Sequence, residues 1–211
     1  MRAEGANNYL AGGLLDPIAL LAPPPLPESD EQAGDLAEVR FVHANHSTDD
    51  EAAAWVEARG ISLANYKAVL GGGFDPAKLP KTGAFFYRVA ADCESQVNRS
   101  KQHWNRKRPY AVDPNLAQRK PVAGGSSPSG HSTLGMTYAL VLAEIFPDKR
   151  DKLLATGRDI GWHRVMIAKH YPTDVFAGRV LAQAIVREMK ASPQFQHDLA
   201  DAKAEIAAAR N

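Results

Sequence analysis

Nowhere in these 211 residues does an alternating, period-two run of useful length appear, whereas from Asp35 onward apolar residues recur at helical spacing between glycine and proline breaks. Such a pattern offers no material for a sheet. The expected fold is all-α: a single-domain, compact helical bundle over residues 31–211, preceded by an extended, proline-rich N-terminal arm over residues 1–30. A chain of this length buries roughly 70% of its unfolded surface. The helical stretches are bounded by readable signals. "DLAEVRFVHANHSTDDEAAAWVEARG" contains two, the second capped by Ser47 or Thr48 and stopped at Gly60. "ISLANYKAVL" ends at Gly71, Gly72 and Gly73, and "TGAFFYRVAADCESQVNRSKQHWNRKRP" reads as one long helix or two, closed by Pro109. After a loop from Tyr110 to Gly130 come helices over Ser132–Phe146 and Lys149–Lys169, then one opened by Pro172. The alanine-rich "FQHDLADAKAEIAAAR" is expected on the surface, and no internal repeat is visible.

Charge narrows the function. Twenty-five Lys and Arg against 24 Asp and Glu leave a formal charge of +1, so there is no global basic field for nucleic acid or an anionic membrane. Any cluster of cations therefore needs a local explanation. Cys93 stands alone, which excludes an intrachain disulfide and a cysteine-ligated zinc site and leaves it as a buried small hydrophobe. No run approaches the 18 apolar residues of a spanning helix. The early "LLDPIALLAPPPLP" is broken by Asp16 and Pro17 and reads as mature sequence; an exported form would already have shed its leader.

Three patches carry chemistry. In "KQHWNRKRP", Lys101 and Arg108 are seven residues apart, close to two turns, which puts both cations on one face of a continuous helix. In "GGSSPSGH", Ser129 can cap the helix that follows, and Gly130 lets bare backbone N–H groups approach an anion at the positive end of the helix dipole. His131 sits at that mouth. In "HRVMIAKHYPTD", Asp174 lies four residues after His170 and can take the Nδ1 proton of the imidazole, leaving Nε2 lone-paired. Singly, each patch also fits a plainer reading: a solvated basic face, an ordinary N-cap, a structural His–Asp hydrogen bond. Trp104 and Tyr110 fit either a leaving-group pocket or core packing. His43, His46, His103 and His197 show no usable partner spacing, and "GGGF" at 71–74 lacks the Lys–Ser/Thr of a phosphate loop.

Together the patches supply three fixed cations, an anion cradle and two histidines, which is what phosphoryl transfer demands. Their order and spacing, Lys–x6–Arg–Pro, Pro–Ser–Gly–His and Arg–x5–His–x3–Asp, resemble the signature of the type 2 phosphatidic acid phosphatase superfamily, shared with vanadium-dependent haloperoxidases. Within it the chain looks most like the soluble class A bacterial non-specific acid phosphatases, which also open with a leucine-rich, polyproline stretch like "IALLAPPPLP" and a helix like "DLAEV". The resemblance runs from about Leu14 to Met189.

It implies a metal-independent phosphomonoesterase of broad range, in which His170 forms a phosphohistidine, Asp174 orients it, and His131 protonates the leaving alkoxide and later activates water. Lys101, Arg108 and Arg164 would bind phosphate oxygens with Ser129 and the Gly130 amide. His163 stands where the family usually has serine, so its role is open: bonding phosphate, tuning His170 or packing outward. The resemblance also implies a periplasmic location, transfer of phosphate to alcohols as a side activity, and homo-oligomers. Small phosphomonoesters are the expected partners, with phosphate or vanadate as inhibitors and with neither nucleic acid nor membrane. No resident cofactor and no metal are expected, since only Asp174 among these motifs could serve a two-ion nest. Because His170 must be neutral and His131 protonated at attack, the pH optimum is expected on the acid side of neutrality. Two other readings stand beside this one: a vanadate-dependent haloperoxidase using the same residues, and a non-catalytic phosphate- or phospholipid-binding module.

Overall fold

The apolar run that follows "GGSSPSGH" sits at the centre of the computed structural model, which describes residues 8–10, 15–71, 74–116 and 121–209. The helices are α1 (Pro17–Leu20), α2 (Asp30–Asn45), α3 (Thr48–Glu57), α4 (Lys67–Leu70), α5 (Pro80–Trp104), α6 (Pro109–Val112), α7 (Gly130–Ile145), α8 (Arg150–Met166), α9 (Pro172–Ala191) and α10 (Pro193–Ala208). Short 3-10 turns join some of them, and no strand occurs among the described residues. Helix α7 is buried on nearly every side, as an all-round apolar helix must be. Helices α8 and α9 pack most extensively against it. Two glycines bring them close at its start: a Cβ on Gly178 would stand 2.9 Å from the Ser129 carbonyl oxygen, and one on Gly161 would stand 2.8 Å from Ser132 Oγ. Both contacts lie at the N-terminal turn of α7, so the three helices meet where the sequence motifs converge.

On the other side, α5 offers Phe85, Phe86, Val89, Cys93 and Val97 as a stripe at three- and four-residue spacing into the main core. Helix α10 lies on α5 and does not rest merely on the surface, as its composition suggested. Its Phe195, Leu199, Ala202 and Ile206 are buried, while its alanine- and charge-rich remainder faces outward. Alanines on the inner face hid an amphipathic pattern. The arm expected over residues 1–30 falls partly outside the described residues. What is described includes α1 and a clasp in which the Asn8 and Tyr9 amides each donate to Asp92 at 2.8 Å. Tyr9 packs edge-on against Phe195 at 5.3 Å.

Several boundaries moved. Ser47 is the N-cap of α3, and Gly60 follows its end at φ +141°. Helix α4 stops at Gly71; Gly72 and Gly73 lie outside the described residues. Helix α5 ends at Trp104, because Asn105 adopts the left-handed conformation that asparagine tolerates. Pro109 therefore opens α6 instead of closing α5, and Lys101 and Arg108 do not share one helical face. Helix α7 starts two residues early, with Ser129 as cap, which puts His131 in its first turn. Helix α8 ends at Met166, before Lys169. Ala168 turns left-handed there, and the Lys169 and His170 amides both donate to the Arg164 carbonyl at 2.9 and 3.2 Å. That turn delivers His170 to the mouth of α9.

Candidate active site

His170 is 2% exposed. Its Nε2 lies 3.2 Å from Nη1 of Arg108, a group that can only donate, so Nε2 carries the lone pair and Nδ1 the proton. Nδ1 is 3.6 Å from Asp174 Oδ2 and 3.4 Å from Ser126 Oγ, which itself donates to Asp174 at 2.5 Å. The expected direct hydrogen bond from histidine to aspartate is thus shared with a serine hydroxyl beside it. Burial drives His170 well below the ordinary histidine range, aided by the charges of Lys101 and Arg108 and opposed by Asp174. A neutral imidazole with its lone pair aimed at a guanidinium is the result.

Asp174 is fully buried, and burial alone would raise it. Its contact with His170, the charge of Arg106 and the Ser126 hydroxyl hold it well below the usual carboxylate range. The Tyr171 amide donates to it at 2.9 Å, so the carboxylate also caps the helix it opens. Arg106 was not singled out in the sequence, yet it ties the site together. Nη1 donates to Asp174 at 2.7 Å, Nη2 to Asp35 at 2.7 Å, and its guanidinium stacks over the Tyr171 ring at 4.0 Å. Thr173 adds a short hydrogen bond to Asp35.

Arg108 spends its donors on the Lys169, Gly124 and Gly125 carbonyls as well as on His170, which fixes its fork in the loop from 121 to 129. Arg164 is 4% exposed, and neither its Nε nor its Nη1 has a hydrogen-bond partner among the described residues. Burial pushes it down to about 10, with the nearby charge of Arg108 adding to the effect. Lys101 is pushed down to about 8, by burial first and then by Arg108 and Arg164. The three cations named from the sequence therefore sit close enough to repel one another, although they come from three different segments. A fourth, Lys169, was missed. It is buried with its ammonium 5.1 Å from the Tyr110 ring centre and 6.0 Å from that of Trp55, and burial with Arg164 and Arg108 lowers it to about 8.

At the opposite edge, His131 Nε2 donates to the Glu57 carbonyl at 3.1 Å. Burial, Arg164, Lys101 and Arg108 push it down to about 3, against the help of that carbonyl. These influences leave His131 neutral near physiological pH. The Ser129 hydroxyl accepts from the Ser132 amide at 3.3 Å as a helix cap, and its own amide donates to the Asp174 carbonyl at 2.9 Å. The Gly130 and His131 amides belong to the first turn, where N–H groups lack intrahelical partners. His163 neither faces outward nor joins the cations. Its Nδ1 lies 2.9 Å from Glu57 Oε2, and although burial opposes it, Glu57 raises its affinity for a proton. Trp104 packs on the main core, and the buried Cys93 thiol is raised to about 12 by burial. His43 Nδ1 bonds the Met166 carbonyl at 2.6 Å, a partner that spacing could not reveal. Among the described residues, no three His, Cys, Asp or Glu side chains are grouped to hold a metal ion.

Known proteins match this arrangement. The family model for the PAP2 superfamily matches residues 83–198. An acid phosphatase of Zymomonas mobilis is 32% identical over 203 residues, spanning 92% of this chain and 77% of its own length. A non-specific acid phosphatase of Providencia stuartii is 32% identical over 202 residues, spanning 92% of this chain and 82% of its own. Among solved structures, a transmembrane PAP2 type phosphatidylglycerolphosphate phosphatase from Bacillus subtilis superposes with a TM-score of 0.56 at 16% identity, over 78% of this chain and 87% of that one.

Proposed function

The chain belongs to the PAP2 superfamily and is a phosphoric monoester hydrolase of the acid phosphatase kind; from that premise we propose that it works without a metal ion, on a broad range of phosphate monoesters, through a covalent phosphohistidine on His170. The observation that carries the reading is Arg164: a buried guanidinium with two nitrogens unpartnered among the described residues, flanked by Arg108 and Lys101. Asp174 and Glu57 offset the burial of these cations only in part, and an oxyanion is the ligand that compensates all three. Arginine forks and helix-mouth amides suit the planar faces of a phosphoryl group.

In this reading the Nε2 lone pair of His170 attacks phosphorus as the ester P–O bond breaks, and the leaving oxygen takes a proton from His131. Water then attacks the phosphohistidine, giving its proton to His131 as the P–N bond breaks, and inorganic phosphate departs. An alcohol in place of water would give phosphate transfer by the same step. Lys101, Arg108, Arg164, the Ser129 hydroxyl and the Gly130 amide neutralise the nonbridging oxygens, which removes the need for a metal's charge. Asp174 and Ser126 keep the His170 proton on Nδ1. The bound dianion reverses the field at His131, raising its pKa from about 3 so that it is protonated in the complex. Hence kcat falls as pH rises past neutrality. A periplasmic location belongs to the same proposal and draws its support from the class A likeness of the opening; cell fractionation checks it.

The test is turnover of p-nitrophenyl phosphate in EDTA. Undiminished turnover with loss in His170→Ala supports the proposal. Turnover that needs an added divalent ion, or that survives in His170→Ala, overturns it.

A further inference from the structure

Glu57, at the last turn of α3, is a group that no sequence motif contains, yet it touches two histidines in different ways. Its carbonyl oxygen accepts from His131 Nε2 at 3.1 Å and from the Gly60 amide at 2.9 Å. Its carboxylate meets His163 Nδ1 of α8 at 2.9 Å, with both side chains only 12% exposed. A carbonyl can only accept, so this contact fixes the neutral His131 as the Nε2–H tautomer and gives Nδ1 the lone pair. We propose that Glu57 and His163 are positioning residues for the proton donor: their ion pair pins the end of α3 so that the Glu57 carbonyl holds His131 Nε2–H, leaving Nδ1 as the nitrogen that gives its proton to the leaving oxygen. The inference rests on the acid role of His131 given above and goes beyond it, since it names the tautomer, the partner and the purpose of His163.

The surrounding charges make the pin necessary. Arg164 from α8, Lys101 from α5 and Arg108 all oppose a proton on His131, and the Glu57 carbonyl is the neighbour that favours one. Burial opposes a proton on His163, but Glu57 favours one, with Asp159 of α8 and Asp50 of α3 assisting, and the balance is upward. Glu57 in turn faces Arg164 and the Tyr66 hydroxyl. Loosening the pin moves the carbonyl away and lowers the proton affinity of His131, so less of the enzyme–substrate complex holds the acid. Attack by His170 is untouched. The deficit should therefore follow the leaving group's need for a proton.

The experiment compares p-nitrophenyl phosphate, whose phenolate departs without a proton, with sn-glycerol 3-phosphate, whose alkoxide needs one. For His163→Leu, kcat/KM on the glycerol ester falls about tenfold or more while kcat/KM on the aryl ester changes about threefold or less. The basic limb of the kcat profile on the glycerol ester moves to lower pH. His163→Gln, which keeps an N–H donor for Glu57, restores most of the loss. Equal losses on both esters, or none on the glycerol ester, overturn the inference. The unsubstituted protein gives a second reading by nitrogen NMR of the neutral His131 ring: a proton on Nε2 supports it and one on Nδ1 overturns it. His131→Ala separates the two levels. If it lowers kcat/KM for both esters alike, a reading that ends at phosphohistidine formation and leaves out the shared water step, the acid role itself falls; if it shows the leaving-group dependence and His163→Leu does not, only the positioning role falls.

Discussion

His131 and His163 share Glu57 yet are driven in opposite senses, one by cations and burial, the other by carboxylates. That contrast makes proton traffic at the site measurable. Burial and the cations hold His131 down to about 3, neutral at about pH 5.5; in the proposed mechanism a bound dianion raises it above that pH, so binding should take up a proton. Sulfate serves as the dianion because it does not titrate in this range. Calorimetry in buffers of different ionisation enthalpy should show net proton uptake on sulfate binding at about pH 5.5, abolished in His131→Ala. Proton release would contradict the sign. Arg106 gives a second prediction at this scale. Its removal strands Asp35 and Asp174 as buried carboxylates, so Arg106→Met should cost about 3–5 kcal/mol in urea denaturation and remove most activity besides.

At the scale of elements, the catalytic geometry depends on α8 and α9 lying close to the first turn of α7. Gly178→Val would drive side-chain carbon against the Ser129 carbonyl and push α9, with Asp174, away from His131. Overpacking of this kind costs about 1–3 kcal/mol, and the loss of kcat should exceed what the fraction unfolded accounts for. Activity measured beside thermal unfolding decides it. The helices themselves were legible, since their caps, glycines and prolines stand in the sequence: Ser47 before α3, Ser129 before α7, Pro172 inside α9. The three motifs were legible too, because each is a short run of local spacing. The end of α5 was not, because one left-handed asparagine outweighed a helical pattern that continued to Pro109. Arg106, Ser126, Lys169 and Glu57 were not legible because the partners that fix them, Asp174, Trp55 and His163, lie 48 to 114 positions away on other helices; nothing local to them announces the contact.

For the whole molecule, a nearly neutral chain concentrates buried positive charge at one point. Gathering these charges is costly on folding, and an anion bound among them is stabilising. Inorganic phosphate should raise Tm with its logarithm, by about 2.7 kcal/mol of stability at a hundredfold excess over Kd. Arg164→Met should remove most of that dependence. Without phosphate the same variant should be more stable than the parent by about 1–2 kcal/mol, because it replaces a poorly partnered buried cation by an apolar side chain of similar length. A parent more stable than the variant in phosphate-free buffer would show that Arg164 has compensation within the protein.

The central claim is that the clasped phosphoryl group passes to His170. Rapid acid-free quenching of the EDTA-treated enzyme with phosphorus-labelled substrate, followed by peptide mapping, tests it most directly. The account predicts an early burst of acid-labile, base-stable label on the peptide bearing His170. Label on another residue, or a product burst with no protein-bound label at any time, would contradict it.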